Sequence, residues 1–170
     1  MAQKEFVGKA VTIQQELVFD FKDFYKMLKS YLKDLGYGSE EKEYHEGNLP
    51  TGERVIKFTL ECDKKVEDYV KLVMNINVSA AIKDVEVEKE GKHAKVQKGK
   101  INIGISGYLK KDSEDEWAMK KKSAFLRFIR EIYDKFFIHD KMEMYAKQLA
   151  KDQEALVYDL KTFLKLKRLD

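Results

Sequence analysis

The sequence predicts an α+β fold, in which an antiparallel β-meander of about six strands packs against helices on one of its faces. Three observations favour this fold. Apolar residues alternate with polar ones over six segments, recur at three- and four-residue steps over three others, and the turns between predicted strands are short. Short turns favour antiparallel neighbours, because a parallel pair needs a long crossover. We expect one domain over residues 1–170, with strands and a helix in 1–112 and helices in 113–170.

The chain begins with a predicted strand over residues 6–18, followed at once by an amphipathic helix. Asp20 is a suitable N-cap for that helix, and Gly36 is well placed to end it in a left-handed conformation. The apolar stripe of the helix consists of Phe21, Phe24, Tyr25, Leu28, Tyr31, Leu32 and Leu35.

Five further strands are predicted between residues 40 and 109. The first, over residues 40–46, is polar and is expected at an edge of the sheet, and the fourth is a short strand around Val85 and Val87. The inward positions of the other three are Ile56, Phe58, Leu60, Cys62, Val70, Leu72, Met74, Ile76, Val78, Ile101, Ile103, Ile105 and Leu109. One sheet face is therefore apolar and the other half polar, so the helices should share the apolar face.

Two helices are predicted in the C-terminal third. The first should bury a wide face made of Phe125, Phe128, Ile129, Ile132, Tyr133, Phe136 and Phe137. The second carries the stripe Met142, Tyr145, Leu149, Leu156, Leu160, Phe163 and Leu164. We expect one core in which the elements meet through Leu28, Phe58, Met74, Ile103, Ile129 and Leu160.

Composition limits the classes of function. Charged residues make up 37% of the chain, above the usual ~25%, which together with one Pro and one Cys is typical of proteins from hot environments. The net charge of +3 is small, so binding of nucleic acid would need local clusters of basic residues. The sequence contains no secretory signal and no apolar run long enough to span a bilayer, which predicts a cytoplasmic protein.

The sequence contains no recognisable catalytic, metal or cofactor site. His45, His93 and His139 lack the close spacing of zinc ligands, and Cys62 occupies an inward position of a strand. The motifs of the hydrolase nucleophile and of the phosphate-binding loop are both missing. An enzyme is therefore only the third interpretation of this sequence.

Two surfaces are candidate binding sites. One is the outward sheet face, where phenol, amide and ammonium groups could contact RNA or a protein, although a solvated face explains the same residues; its candidates are Tyr69, Lys71, Asn75, Asn77, Asn102 and Tyr108. The other is a basic helical end, where two stretches converge if the last helix returns to the point where the preceding helix begins. Its members are Lys120, Lys121, Lys122, Arg127, Arg130, Lys161, Lys165, Lys167 and Arg168.

These features predict a non-catalytic binding or assembly module, associated with RNA or a ribonucleoprotein through the basic end and the sheet face. The order strand, helix, antiparallel meander, long C-terminal helix also resembles that of helix-grip ligand carriers. That resemblance implies an alternative, in which an apolar cavity between the sheet and the last helix carries a small ligand.

Overall fold

The structure, a computed structural model, describes residues 3–67, 70–111 and 139–166, together with Phe125, Phe128 and Ile132. It contains an antiparallel sheet of five strands, which are β1 Gln3–Phe19, β2 Gly38–Asn48, β3 Arg54–Glu67, β4 Val70–Lys89 and β5 Lys92–Lys111. Two helices have described bounds, which are α1 Phe21–Asp34 and α2 His139–Leu166. The predicted α+β class and the antiparallel sheet are confirmed.

The strands lie in the order β1-β5-β4-β3-β2, so β1 and β2 occupy opposite edges although only α1 separates them in sequence. The chain therefore crosses the width of the sheet through α1. As predicted, Asp20 caps this helix by accepting a hydrogen bond from the amide of Lys22, and Gly36 follows it with a φ of 86°. The edge strand β2 is exposed along its whole length, as its polar sequence suggests.

The bounds of the last two strands predicted between residues 40 and 109 are wrong. The segment around Val85 is not a separate strand but the continuation of β4, which pairs with β5 as far as Lys89 and Lys92. The alternation of apolar residues lapses before Val85 because the two strands extend beyond β1 and β3 as a hairpin arm. Glu90 and Gly91 close the arm with positive φ angles of 54° and 75°, as in a type I′ turn.

Both α1 and α2 pack on one face of the sheet, which we call the inner face. Their leucines join the inward strand residues in one buried cluster. Five of the six residues expected to meet there do so, namely Leu28, Phe58, Met74, Ile103 and Leu160. Ile129 lies outside the described residues.

The predicted burial of the first C-terminal helix is wrong for the three residues of its apolar face that the structure describes. Phe125, Phe128 and Ile132 have helical backbone, but their side chains are 68%, 60% and 44% exposed instead of buried. The buried residues of the inner face pack with the apolar stripes of α1 and α2, and these three side chains are not part of that cluster. The other residues of the expected stripe, Ile129, Tyr133, Phe136 and Phe137, lie outside the described part of the chain.

The helix α2 runs from the end of the sheet formed by the C-terminus of β3 towards the hairpin arm. Near its start, the Tyr145 hydroxyl donates to the Glu67 carboxylate over 2.6 Å, and Lys141 contacts the same carboxylate over 3.0 Å. Near its end, the Phe163 and Phe24 rings lie 6.3 Å apart. This direction is the reverse of the one assumed in predicting that the two basic stretches converge.

A polar contact fixes the middle of α2 to the turn that follows α1. The Tyr37 hydroxyl donates to Asp152 over 2.8 Å, and the Lys64 ammonium lies 3.8 Å from the same carboxylate. Burial, and then the neighbouring Asp152 carboxylate, raise the pKa of Tyr37, so this hydroxyl remains a hydrogen-bond donor at neutral pH.

Candidate binding surface on the outer sheet face

The strand register aligns polar side chains in rows across the face turned away from α1 and α2, which we call the outer face. Two neighbouring rows cross all five strands. The hollow row consists of Thr12, Gly104, Asn77, Thr59 and Glu43. The amide row consists of Gln14, Asn102, Ser79, Lys57 and His45. Hydrogen-bonding side chains thus occupy almost every position of both rows.

A depression of about 420 Å³, which we call the hollow, lies over these two rows. Gly104 is one of the residues that line it, and its lack of a side chain leaves the sheet surface open at that point. A Cβ added at Gly104 would come no closer than 4.0 Å to Asn77, so the position is open. Asn77, Asn102 and Lys57 are exposed among the residues that line it. The hollow is therefore a concave surface that solvent or a ligand can reach, lined mainly by residues with polar side chains and also by Phe58 and Val78.

The hydroxyl of Thr59 orients the amide of Asn77 in this surface. It donates a hydrogen bond to Asn77 Oδ1 over 2.9 Å. Because the oxygen is the acceptor, the NH₂ group of Asn77 is held as a donor. A cross-strand hydrogen bond of this kind limits the rotamers of both side chains, so a ligand would meet a preorganised donor.

The structure places four of the six predicted sheet-face residues on the outer face as expected, namely Lys71, Asn75, Asn77 and Asn102. Tyr69 lies outside the described residues. Tyr108 is also on this face, but it is 2% exposed, so the expectation of an exposed phenol is wrong. Its ring is covered by the Phe6 ring, with centroids 5.7 Å apart, and by the Lys4 ammonium, 5.0 Å from its centroid. Burial raises the pKa of the Tyr108 phenol.

Several residues of the surface were not among the sequence-predicted candidates. The alternation of apolar and polar residues along β1 and β4 could have identified Thr12, Gln14 and Ser79 as outward-facing, since each lies one position from an inward-facing residue. The outward position of Glu43 and His45 could not be predicted in this way. They belong to a polar edge strand whose register with β3 shifts between Glu41 and Glu43. That register follows from pairing, which the sequence of β2 alone does not specify.

Burial raises the pKa of two ionisable groups of the inner face, Cys62 and Tyr145. Cys62 is buried, and burial raises the pKa of its thiol to about 12, so the reactive thiolate is scarce at neutral pH. Burial and the bond to Glu67 raise the pKa of Tyr145 to about 12. Among the residues with described positions, no group of three His, Cys, Asp or Glu side chains could hold a metal ion.

The basic helical end remains a prediction. Lys161 and Lys165 are exposed on α2, towards the hairpin-arm end of the molecule, whereas β5 ends at Lys111 at the opposite end of the sheet. The remaining members of that group lie outside the described residues, and they are Lys120, Lys121, Lys122, Arg127, Arg130, Lys167 and Arg168.

Comparison with known proteins gives this chain no assignment. No family model and no curated protein matches it. Neither α1 nor α2, the helices with described bounds, is long and apolar enough to cross a membrane.

Proposed function

We propose that the chain is a non-catalytic module that binds single-stranded RNA on the outer face of its sheet. The observation that carries the proposal is the hollow, a concave surface where two rows of amide and hydroxyl groups meet. Proteins that recognise RNA sequences hydrogen-bond the edges of unpaired bases, and a sheet face is a common platform for this. Asn77 and Asn102 supply amide groups that can donate and accept at such edges.

The distribution of charge on the outer face also favours a polyanion. Its lysines are Lys4, Lys42, Lys57, Lys65, Lys71, Lys83, Lys98, Lys100 and Lys110. Among the described strand residues of this face the acidic ones are fewer, and they are Glu16, Glu40, Glu43, Glu61 and Asp63. The outer face is therefore more basic than the net charge of +3 suggests. Lysines positioned along a single strand provide the salt-sensitive part of RNA binding through its phosphates.

A protein partner fits the hollow less well than RNA does. The cores of protein interfaces are enriched in aromatic residues and depleted in charged ones. Apart from Phe58, Val78 and Gly104, the residues that line the hollow have polar side chains, and two of them, Glu43 and Lys57, are charged. The side chains that line it favour a ligand with many hydrogen-bonding groups and negative charge, and single-stranded RNA has both.

The carrier alternative receives no support from the packing of α2. Leu149, Leu156 and Leu160 are completely buried against the sheet. At Gly107, even an added Cβ would lie only 3.2 Å from Leu149 Cδ2. The space that a small ligand would need is filled by side chains along this stretch of α2.

Replacing two amides of the hollow by carboxylates tests the proposal. The double substitution Asn77→Asp with Asn102→Asp removes two NH₂ donors and adds two negative charges without changing side-chain size. We expect affinity for a fluorescein-labelled single-stranded RNA of roughly twelve nucleotides to fall by about tenfold or more, measured by fluorescence anisotropy.

The matched control places two negative charges on the opposite layer of the molecule. Gln148→Glu with Ala155→Glu changes two residues of α2 and shifts the net charge equally. This control should bind RNA within about twofold of the wild type, because long-range charge effects are screened at moderate salt. Equal weakening of both variants, or no RNA binding by the wild type at about 50 mM salt, would exclude the proposed function.

A further inference from the structure

Four lysines form a row across the outer face at the end of the sheet remote from the hairpin arm. Lys4 pairs with Lys110, Lys110 with Lys71, and Lys71 with Lys65. We call these four residues the lysine row. Neighbouring strands are about 4.8 Å apart, so consecutive ammonium groups project from backbone positions closer together than the Debye length of ~8 Å at physiological salt.

Like charges directly opposite one another in a sheet are destabilising, so such a row requires compensation. Part of it comes from within the chain, since Lys71 lies 3.4 Å from Asp63, and Lys4 lies over the Tyr108 ring. Within the part of the chain that the structure describes, the Asp63 carboxylate offsets one of the charges of Lys4, Lys71 and Lys110, and this group of lysines keeps a net positive charge. A bound anion would lower the repulsion between these lysines, and phosphate is the anion that single-stranded RNA supplies.

An exposed aromatic ring adjoins the lysine row. Phe6 lies two residues from Lys4 along β1, and its side chain is 73% exposed. One side of the ring packs at 55° against the buried Tyr108, which fixes its position on the sheet. A solvent-exposed aromatic ring therefore lies beside several lysines. Proteins that bind single-stranded nucleic acid use aromatic rings to stack bases and basic residues to bind the phosphates.

We propose that Phe6, Lys4, Lys71 and Lys110 form an anchor subsite for one nucleotide of the bound RNA, with the base stacked on Phe6 and its flanking phosphates on the three lysines. The inference rests on the proposed function and adds a second contact point to it. Lys110 lies six positions after Gly104 on β5, which is about 20 Å along the strand. An RNA bound at both places would therefore cover several nucleotides and run along β5.

The subsite makes separate predictions for stacking and for charge. Phe6→Ala should weaken RNA binding between about fivefold and a hundredfold, whereas Phe6→Trp should retain it, since tryptophan preserves the stacking surface. The triple substitution Lys4→Gln, Lys71→Gln and Lys110→Gln should reduce the slope of log affinity against log salt by about 2, because each lost phosphate contact contributes about 0.7. The matched control, Lys147→Gln and Lys151→Gln on α2 with Lys26→Gln on α1, should leave the slope unchanged, because these three lysines lie on the helical layer of the molecule.

The outcomes separate this inference from the proposed function. If the Asn77→Asp and Asn102→Asp variant loses affinity while the Phe6 and triple-lysine variants retain both affinity and salt slope, the anchor subsite is excluded and the hollow stands. If inorganic polyphosphate displaces the RNA completely and Phe6→Ala binds as well as the wild type, the row is a simple anion patch, and the stacking role is wrong. If the wild type binds no RNA, both proposals fail together.

Discussion

Replacing Leu160 by aspartate should unfold the chain at room temperature. Leu160 is completely buried in the cluster that joins α2 to the sheet. The substitution removes an apolar side chain from that core, which alone costs about 2–5 kcal/mol, and it also buries a carboxylate without a partner. The combined loss is comparable to the whole stability of a typical domain, about 5–15 kcal/mol. Circular dichroism should therefore show loss of secondary structure without denaturant.

Tyr158→Asp is the matched control, since it introduces the same residue two positions away on the same helix. Tyr158 is 71% exposed, so its replacement should change the free energy of unfolding by no more than about 0.5 kcal/mol. If Leu160→Asp unfolds in urea at the same midpoint as Tyr158→Asp, α2 does not pack against the sheet as described.

Valine at Gly104 and valine at Gly107 should have opposite effects on stability and on RNA binding. Gly107 faces α2, where an added Cβ would lie 3.2 Å from Leu149 Cδ2 and 3.4 Å from Gln153 Oε1. Gly107→Val overpacks this contact and should cost about 1–3 kcal/mol in urea denaturation. Gly104→Val faces the open hollow and should leave the stability equal or slightly higher, because valine favours strands more than glycine does.

The same pair tests which glycine shapes the binding surface. Gly104→Val fills part of the hollow and should weaken binding of single-stranded RNA by about fivefold or more. Gly107→Val, studied at a temperature where it is folded, should bind as the wild type does, since its side chain is on the other face. The reverse pattern, with binding lost only in Gly107→Val, would place the RNA on the helical side and contradict the proposed surface.

Local patterns in the sequence predict much of the fold. Alternation defines the inward residues of β3, β4 and β5, and the three- and four-residue spacing defines the apolar stripes of α1 and α2. Each pattern depends only on which face of one strand or helix is buried in the core, so it can be read without knowing which strands pair with each other. The Asp20 cap and the Gly36 terminus are equally local and were equally predictable.

The rows of the outer face could not be predicted in the same way. Both rows depend on pairing between β1 and β5, whose residues are about ninety positions apart in the chain, as Thr12 and Gly104 are. Tyr108 follows the alternation correctly but is buried, because Phe6 and Lys4 reach it from a neighbouring strand. Contacts of this kind arise only when the sheet is assembled.

The direction of α2 depends on a contact that the sequence pattern does not contain. An amphipathic helix satisfies its apolar stripe equally well in either direction along a sheet. The bonds from Lys141 and Tyr145 to Glu67 fix the start of α2 at the end of β3. Glu67 lies beyond the strongest alternation of β3, so its role as an anchor was not evident from periodicity.

The most direct test of the proposed RNA surface is to follow the side-chain amide NH₂ signals of the chain by nuclear magnetic resonance during titration with a short single-stranded RNA. The amides of Gln14, Asn77 and Asn102 project from the outer face, whereas Gln153 is buried on the inner face with its NH₂ group towards the Ile105 carbonyl. Binding on the outer face requires the first three signals to shift with added RNA while that of Gln153 stays in place. A titration that moves the Gln153 signal and leaves those of Asn77 and Asn102 unchanged would contradict it.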